Sequence, residues 1–242
     1  MKKIAVLLLL LLVLTGCRER VEKPVQTDPP VPVTERIIPE TQAPTEAPTE
    51  PPTQPAEPAD GDLVLVTDYI PQIRVALAYA TDDNFTGQPV YEFTEAYLRF
   101  GTVQKLKQAC GELARQGLGI LIWDGFRPVA AQQKLWDICP DPTYVSHPAT
   151  GNRSHCRGNA VDVTLVDLET GAELEMPTGF DDFSKLADRD YSDCTAAAAE
   201  NAWILEAVME SCGFKPYRAE WWHFTDTEDY PVEEEFNPAG VG

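Results

Sequence analysis

Residues 18–60 constrain the rest of this chain most, because they lack the means to fold. Eleven of the chain's 21 prolines lie there, and Thr and Glu recur in Ala-Pro-Thr-Glu-Ala-Pro-Thr-Glu-Pro-Pro-Thr across 43–53. Such a stretch buries too little apolar area to offset its ordering entropy, so it is expected to stay disordered and extended. It reads as a stalk. Ahead of it stand Lys2 and Lys3 and an unbroken apolar run from Ile4 to Leu14. That run is too short for a spanning helix, which needs about 20 residues. A basic start, an apolar middle and small residues before a cut point describe a secretory signal over 1–17. Folding therefore falls to residues 61–242, a length suited to one domain with one sizeable core.

The ending Leu14-Thr15-Gly16-Cys17 resembles a bacterial lipobox. The resemblance implies that Cys17 is lipidated and becomes the mature N-terminus. The expected location is extracytoplasmic, anchored to the bacterial cytoplasmic membrane through that lipid alone. Of the net charge of −20, the first 17 residues contribute +2 and the stalk −5, from nine acids against four bases, leaving −17 on the domain. So acidic a surface repels phosphate backbones and argues against nucleic-acid partners. Five cysteines follow Cys17: Cys110, Cys139, Cys156, Cys194 and Cys212. Export permits disulfides, but an odd number leaves at least one thiol over, and the pairing stays open.

Apolar runs and turn residues predict strands over 63–66, 74–79, 118–123, 159–165 and 221–225. Periodicity predicts helices over 94–116, 129–136 and 196–212. The Thr94–Gln116 window carries a stripe of Leu98, Val103, Leu106, Ala109, Cys110 and Leu113, and Gly213 is a C-cap signal for the last helix. Strands and helices intermix without regular alternation. The expected fold class is α+β, a mainly antiparallel sheet flanked by helices.

Chemistry concentrates in two places. Ser154-His155-Cys156-Arg157-Gly158-Asn159-Ala160-Val161-Asp162 and Glu220-Trp221-Trp222-His223 hold two of the three histidines in the chain. Two imidazoles and one carboxylate make up the ligand set of many catalytic zinc sites, with one position left open. A nearby Glu would handle the protons of an attacking water. Polar groups so dense among apolar neighbours need partners, and a shared metal would supply them. Glu220 and His223 differ by an odd number, so a regular strand would send them to opposite faces. A bend is required if both serve one site. Cys156 is expected to compete poorly as a ligand, because neighbours on a strand point apart.

Five ordered motifs resemble the VanX-type D-alanyl-D-alanine dipeptidases, zinc enzymes related to the D,D-carboxypeptidases and to the hedgehog fold. They are Tyr79-Ala80-Thr81-x-x-Asn84-Phe85-Thr86-Gly87, Asp124-Gly125-Phe126-Arg127-Pro128, Ser154 to Asp162, Met176-Pro177-x-Gly179-Phe180-Asp181 and Glu220-Trp221-Trp222-His223-Phe224. The resemblance implies one Zn2+ on His155, Asp162 and His223. It implies Glu220 as general base, Arg127 as the cation facing the developing oxyanion, Ser154 on the substrate carboxylate and Asp181 on its ammonium. The substrate implied is a D-amino-acid dipeptide. Ala78, where the family tends to carry a charge, and Cys156, often Ser, put fine substrate preference in question. Two other readings remain: a zinc D,D-carboxypeptidase trimming peptidoglycan-derived stem peptides, and a metal-containing wall-binding module without catalysis.

Overall fold

A computed structural model of the chain describes residues 56–241. The signal segment, Cys17 and the stalk as far as residue 55 lie outside the described residues. In chain order the elements are β1 (Leu63–Leu65), α1 (Val66–Tyr69), β2 (Arg74–Val75), β3 (Tyr97–Arg99), α2 (Phe100–Ala114), β4 (Leu118–Asp124), α3 (Val129–Ile138), α4 (Ser154–Arg157), β5 (Ala160–Asp167), α5 (Ala196–Ser211), β6 (Phe214–Pro216) and β7 (His223–Asp226).

A five-stranded sheet ordered β2-β4-β5-β7-β6 carries the site, and a small ladder joins β1 to β3. Only the β2–β4 pair of the large sheet is parallel. The expected mainly antiparallel α+β architecture is therefore observed. Its central strands are buried because both faces are covered: Ala160 to Val166 is continuously buried, as is Gly119 to Ile122. Helix α2 lays Val103, Leu106, Ala109, Cys110 and Leu113 against the core, and α5 lays Ala198, Ala202, Leu205 and Met209 there. Helix α5 starts where Thr195 Oγ1 accepts the Ala198 N–H at 3.1 Å. It stops before Gly213, whose φ of 92° only glycine adopts freely.

Four local expectations change. The helix foreseen from Thr94 begins at Phe100, because Tyr97, Leu98 and Arg99 pair with Leu65, Val64 and Leu63. The strand foreseen to Tyr79 stops at Val75 and gives way to a 3-10 turn over Ala78–Ala80. The strand foreseen from Trp221 begins at His223, and Phe214–Pro216 forms a strand beside it. Ser154–Arg157 is a single helical turn, so the strand rule invoked for Cys156 does not apply. Cys156 nonetheless lies apart from the metal-ligand cluster. All five described cysteines are free thiols. Among the described residues no helix is long and apolar enough to cross a membrane.

Candidate active site

Register places Asp162 and His223 directly opposite one another on β5 and β7. His155 arrives from the single turn of α4, and Gly158 then redirects the chain into β5 with φ 73°. The left-handed φ favours glycine there, and a Cβ at Gly158 would also stand 2.6 Å from Leu63 Cδ2 and push that side chain aside. His223 Nδ1 lies 2.9 Å from Asp162 Oδ1 and 3.2 Å from His155 Nε2. His155 Nε2 lies 3.3 Å from Asp162 Oδ2. Tetrahedral coordination with bonds of about 2.0–2.1 Å spaces its donors about 3.3 Å apart, so His155 Nε2, His223 Nδ1 and the Asp162 carboxylate fit one ion. The outer nitrogens are held as well. His155 Nδ1–H donates to Gly125 O at 2.8 Å, and His223 Nε2 meets Thr225 Oγ1 at 3.1 Å. Those contacts leave the lone pairs of His155 Nε2 and His223 Nδ1 aimed at the common centre.

Electrostatics agree with that donor chemistry. Burial alone would raise the Asp162 carboxyl, but His155 and then His223 hold it far below the usual carboxylate range. Burial would likewise lower the His155 imidazole, yet the carboxylate of Asp162 raises it overall. A cation is strongly preferred here. Proton and metal compete for the same lone pairs.

Glu220 completes the centre through the bend that the sequence required. Its N–H donates to Tyr217 O and its carbonyl accepts from the His223 N–H, both at 3.3 Å, so two turns in succession replace a strand. Glu220 Oε2 then stands 3.9 Å from His223 Nδ1. Burial raises the Glu220 carboxyl above its ordinary value, which suits a proton acceptor working near neutral pH.

Arg127 emerges just beyond β4. Its Nη2 and Nε donate to Asp124 Oδ2 at 2.6 and 3.1 Å, Nη1 donates to Gln132 Oε1 at 2.8 Å, and the guanidinium lies 5.1 Å over the Tyr79 ring. Three of its five N–H groups are thereby used, leaving two to serve a ligand. Asp124 is fully buried and also accepts from Tyr91 Oη at 2.7 Å and the Gly125 N–H at 2.9 Å. Asp181 sits in a left-handed conformation with φ 55° and accepts from Tyr79 Oη at 2.8 Å. Burial pushes its carboxyl up to about 7, against the opposing hydrogen bond from Tyr79. Phe180 locks that loop by packing on Tyr79, Trp123 and Trp222.

A cleft of about 700 Å³ is lined by Arg127, Ser154, His155, Asp162, Asp181, Glu220 and His223. The fold thus gathers every described residue to which the resemblance assigned a role in the site. Sequence reading missed Asp124, Tyr79 and Gln132 as supports. The available signal was Asp124 itself, an acid ending the apolar run Leu118–Trp123 and so bound to need a partner once buried.

Such a donor set, with an acid beside it and a guanidinium across the cleft, equips a metal-dependent peptidase, and that is the class of this enzyme. Residues 60–239 match the sequence model of the peptidase M15 family, described as D-Ala-D-Ala dipeptidase. The chain belongs to that family. It is 36% identical over 173 residues to the D-alanyl-D-alanine dipeptidase of Escherichia coli K12, covering 71% of this chain and 89% of that protein. The Streptomyces coelicolor D-alanyl-D-alanine dipeptidase is 34% identical over 70% of this chain and 93% of its own length. The Enterococcus faecalis protein of the same name is 31% identical over 71% and 95%.

Proposed function

We propose that this enzyme hydrolyses D-Ala-D-Ala-type dipeptides with one zinc ion on His155, Asp162 and His223. The observation that carries this reading is the meeting of that triad with Glu220, Arg127 and Asp181 in one cleft. Two nitrogens and one carboxylate are a donor set typical of catalytic zinc. Zinc held there would acidify a water and polarise a carbonyl. Glu220 takes a proton from the attacking water and delivers it to the departing amine as the C–N bond breaks. Arg127, with two N–H groups to spare, compensates the charge growing on the carbonyl oxygen, where a fixed cation is worth most. Asp181 pairs with the substrate's free ammonium, and Ser154 contacts its carboxylate. An anion at a fixed distance from the reacting carbonyl selects a free N-terminus, and so a dipeptide.

The deciding comparison is kcat/KM for D-Ala-D-Ala against its N-acetyl form. Blocking the ammonium deprives the half-buried Asp181 carboxylate of its charge partner, at a cost of about 1–3 kcal/mol, so the free dipeptide should win by about fivefold to 150-fold. Equal values would remove the dipeptidase reading. The cleft, larger than a dipeptide needs, favours a second reading: a D,D-carboxypeptidase acting on peptidoglycan stem peptides. That reading expects the reverse order of preference.

The lipobox-like Leu14-Thr15-Gly16-Cys17 and the Pro-rich stalk support export and anchoring through a lipid on Cys17, with the active domain facing the wall. Cys17→Ser should abolish incorporation of a labelled fatty acid into the protein. Labelling of that variant to the wild-type level would refute the anchor.

A further inference from the structure

Glu220 and His223 share one short loop, and a residue outside the cleft holds that loop shut. Arg189 Nε donates to Tyr217 O at 2.8 Å and Nη2 donates to His223 O at 3.0 Å, so one guanidinium grips both ends of the Tyr217–His223 loop. The same segment adds backbone contacts: the Arg189 N–H donates to Arg218 O at 3.1 Å, and the Trp221 N–H donates to Ala187 O at 2.9 Å. On its far side Arg189 Nη1 meets Glu206 Oε2 at 2.9 Å and Tyr191 Oη at 3.2 Å, while Tyr191 Oη donates to Glu206 Oε2 at 2.7 Å. The guanidinium also lies 4.5 Å over the Phe224 ring, next in sequence to the ligand His223. Its side chain is only 8% exposed.

Glu220 has no comparable restraint. Among the described residues its carboxylate accepts no hydrogen bond, and the one basic side chain within 4 Å of it is His223, with Nδ1 at 3.9 Å. Its aim therefore depends on the backbone beneath it, and that backbone is closed by Arg189. The five donors of a planar fork reach two diverging carbonyls and a carboxylate at once, a spread that the compact three-donor head of an ammonium matches poorly. We propose that Arg189 is a positioning residue for hydrolysis: by bridging Tyr217 O and His223 O, with Glu206 as its counter-ion, it fixes the loop that aims Glu220. This rests on Glu220 acting as the base.

The test uses the full-length, zinc-saturated enzyme and D-Ala-D-Ala. Misplacing a reacting group by about 1 Å from a remote site can cost about 100-fold in rate. Arg189→Gln should therefore lower kcat by about tenfold to 100-fold, with KM within about twofold and zinc content unchanged. Arg189→Lys, which keeps the charge and one carbonyl contact, should fall between. The discriminating measurement is a double-mutant cycle with Glu220→Gln. If Arg189 acts through Glu220, adding Arg189→Gln to Glu220→Gln costs less than about twofold further. Equal fold-losses in both backgrounds would overturn the proposal, and so would loss of folding in both the Gln and Lys variants, since either marks a scaffold residue. Glu220→Gln alone decides the base reading, so failure of that reading is told apart from failure of this one.

Discussion

Asp162 and His223, 61 residues apart in sequence, face each other across the β5–β7 ladder, with His223 Nδ1 2.9 Å from Asp162 Oδ1. The candidate metal centre is thus built on strand register, and a one-turn helix adds His155, whose outer ring nitrogen is tied to Gly125 O. His155→Ala, Asp162→Ala or His223→Ala should each abolish metal binding together with activity, because three protein ligands leave no redundancy. Elemental analysis checks this, and full metal content in any of the three would refute the assignment. Chelation of the wild type should also lower Tm, since an ion bound only by the folded state stabilises it by about 2.7 kcal/mol at 100 times its Kd.

Glu220→Gln should keep the metal and lose most turnover, about 100-fold to 10,000-fold, the range for a proton-transfer group. Retained turnover in a metal-loaded variant would place the base elsewhere. The raised Glu220 carboxyl also fixes the direction of the pH profile. Only the carboxylate form accepts a proton, so kcat should fall on the acid side, beginning at a higher pH than an ordinary Glu would give.

Asp181 links pH to stability with a definite sign. Its folded-state carboxyl titrates near 7, whereas an unfolded Asp titrates near about 4. The folded protein binds the proton more tightly between those values, so this residue lowers stability as pH rises through the window, fully so above 7. In the metal-free protein, Asp181→Asn should raise stability at pH 8 by at least about 1.4 kcal/mol, the equivalent of one pKa unit. Near pH 4 the variant and wild type should coincide. Urea midpoints at both pH values check it, and an identical offset at each would show that ionisation carries no penalty. The same variant should lose kcat/KM on the free dipeptide.

Asp124 and Arg127 form a buried pair in which removing one partner strands the other. Asp124 has a fully buried side chain and that of Arg127 is 11% exposed. Asp124→Ala should cost about 3–5 kcal/mol, the usual penalty for an uncompensated buried charge, read as a lowered denaturation midpoint. Arg127→Lys keeps the charge but not the fork that spans Asp124 and Gln132. It should lower kcat while largely sparing the fold. Unchanged kcat would dismiss Arg127 from the oxyanion role.

Helices and strands whose signals are local could be read from the residues alone. The stripe of α2, the Gly213 end of α5 and the apolar run of β4 depend on residues within a few positions of one another, and all three were legible. Scarcity made the donors legible too, because a chain with three histidines offers few ways to bind a metal. The tertiary structure alone decided where α2 begins, since Tyr97–Arg99 are claimed by pairing with β1. It decided how Glu220 and His223 overcome their odd spacing, through turns closed by Arg189 from another segment. It also decided that Tyr79 reaches Asp181 across 102 residues and that Asp124 ends up buried beneath Arg127. Those outcomes depend on sheet register and on which polar groups lose their water, and both are set by packing over the whole core.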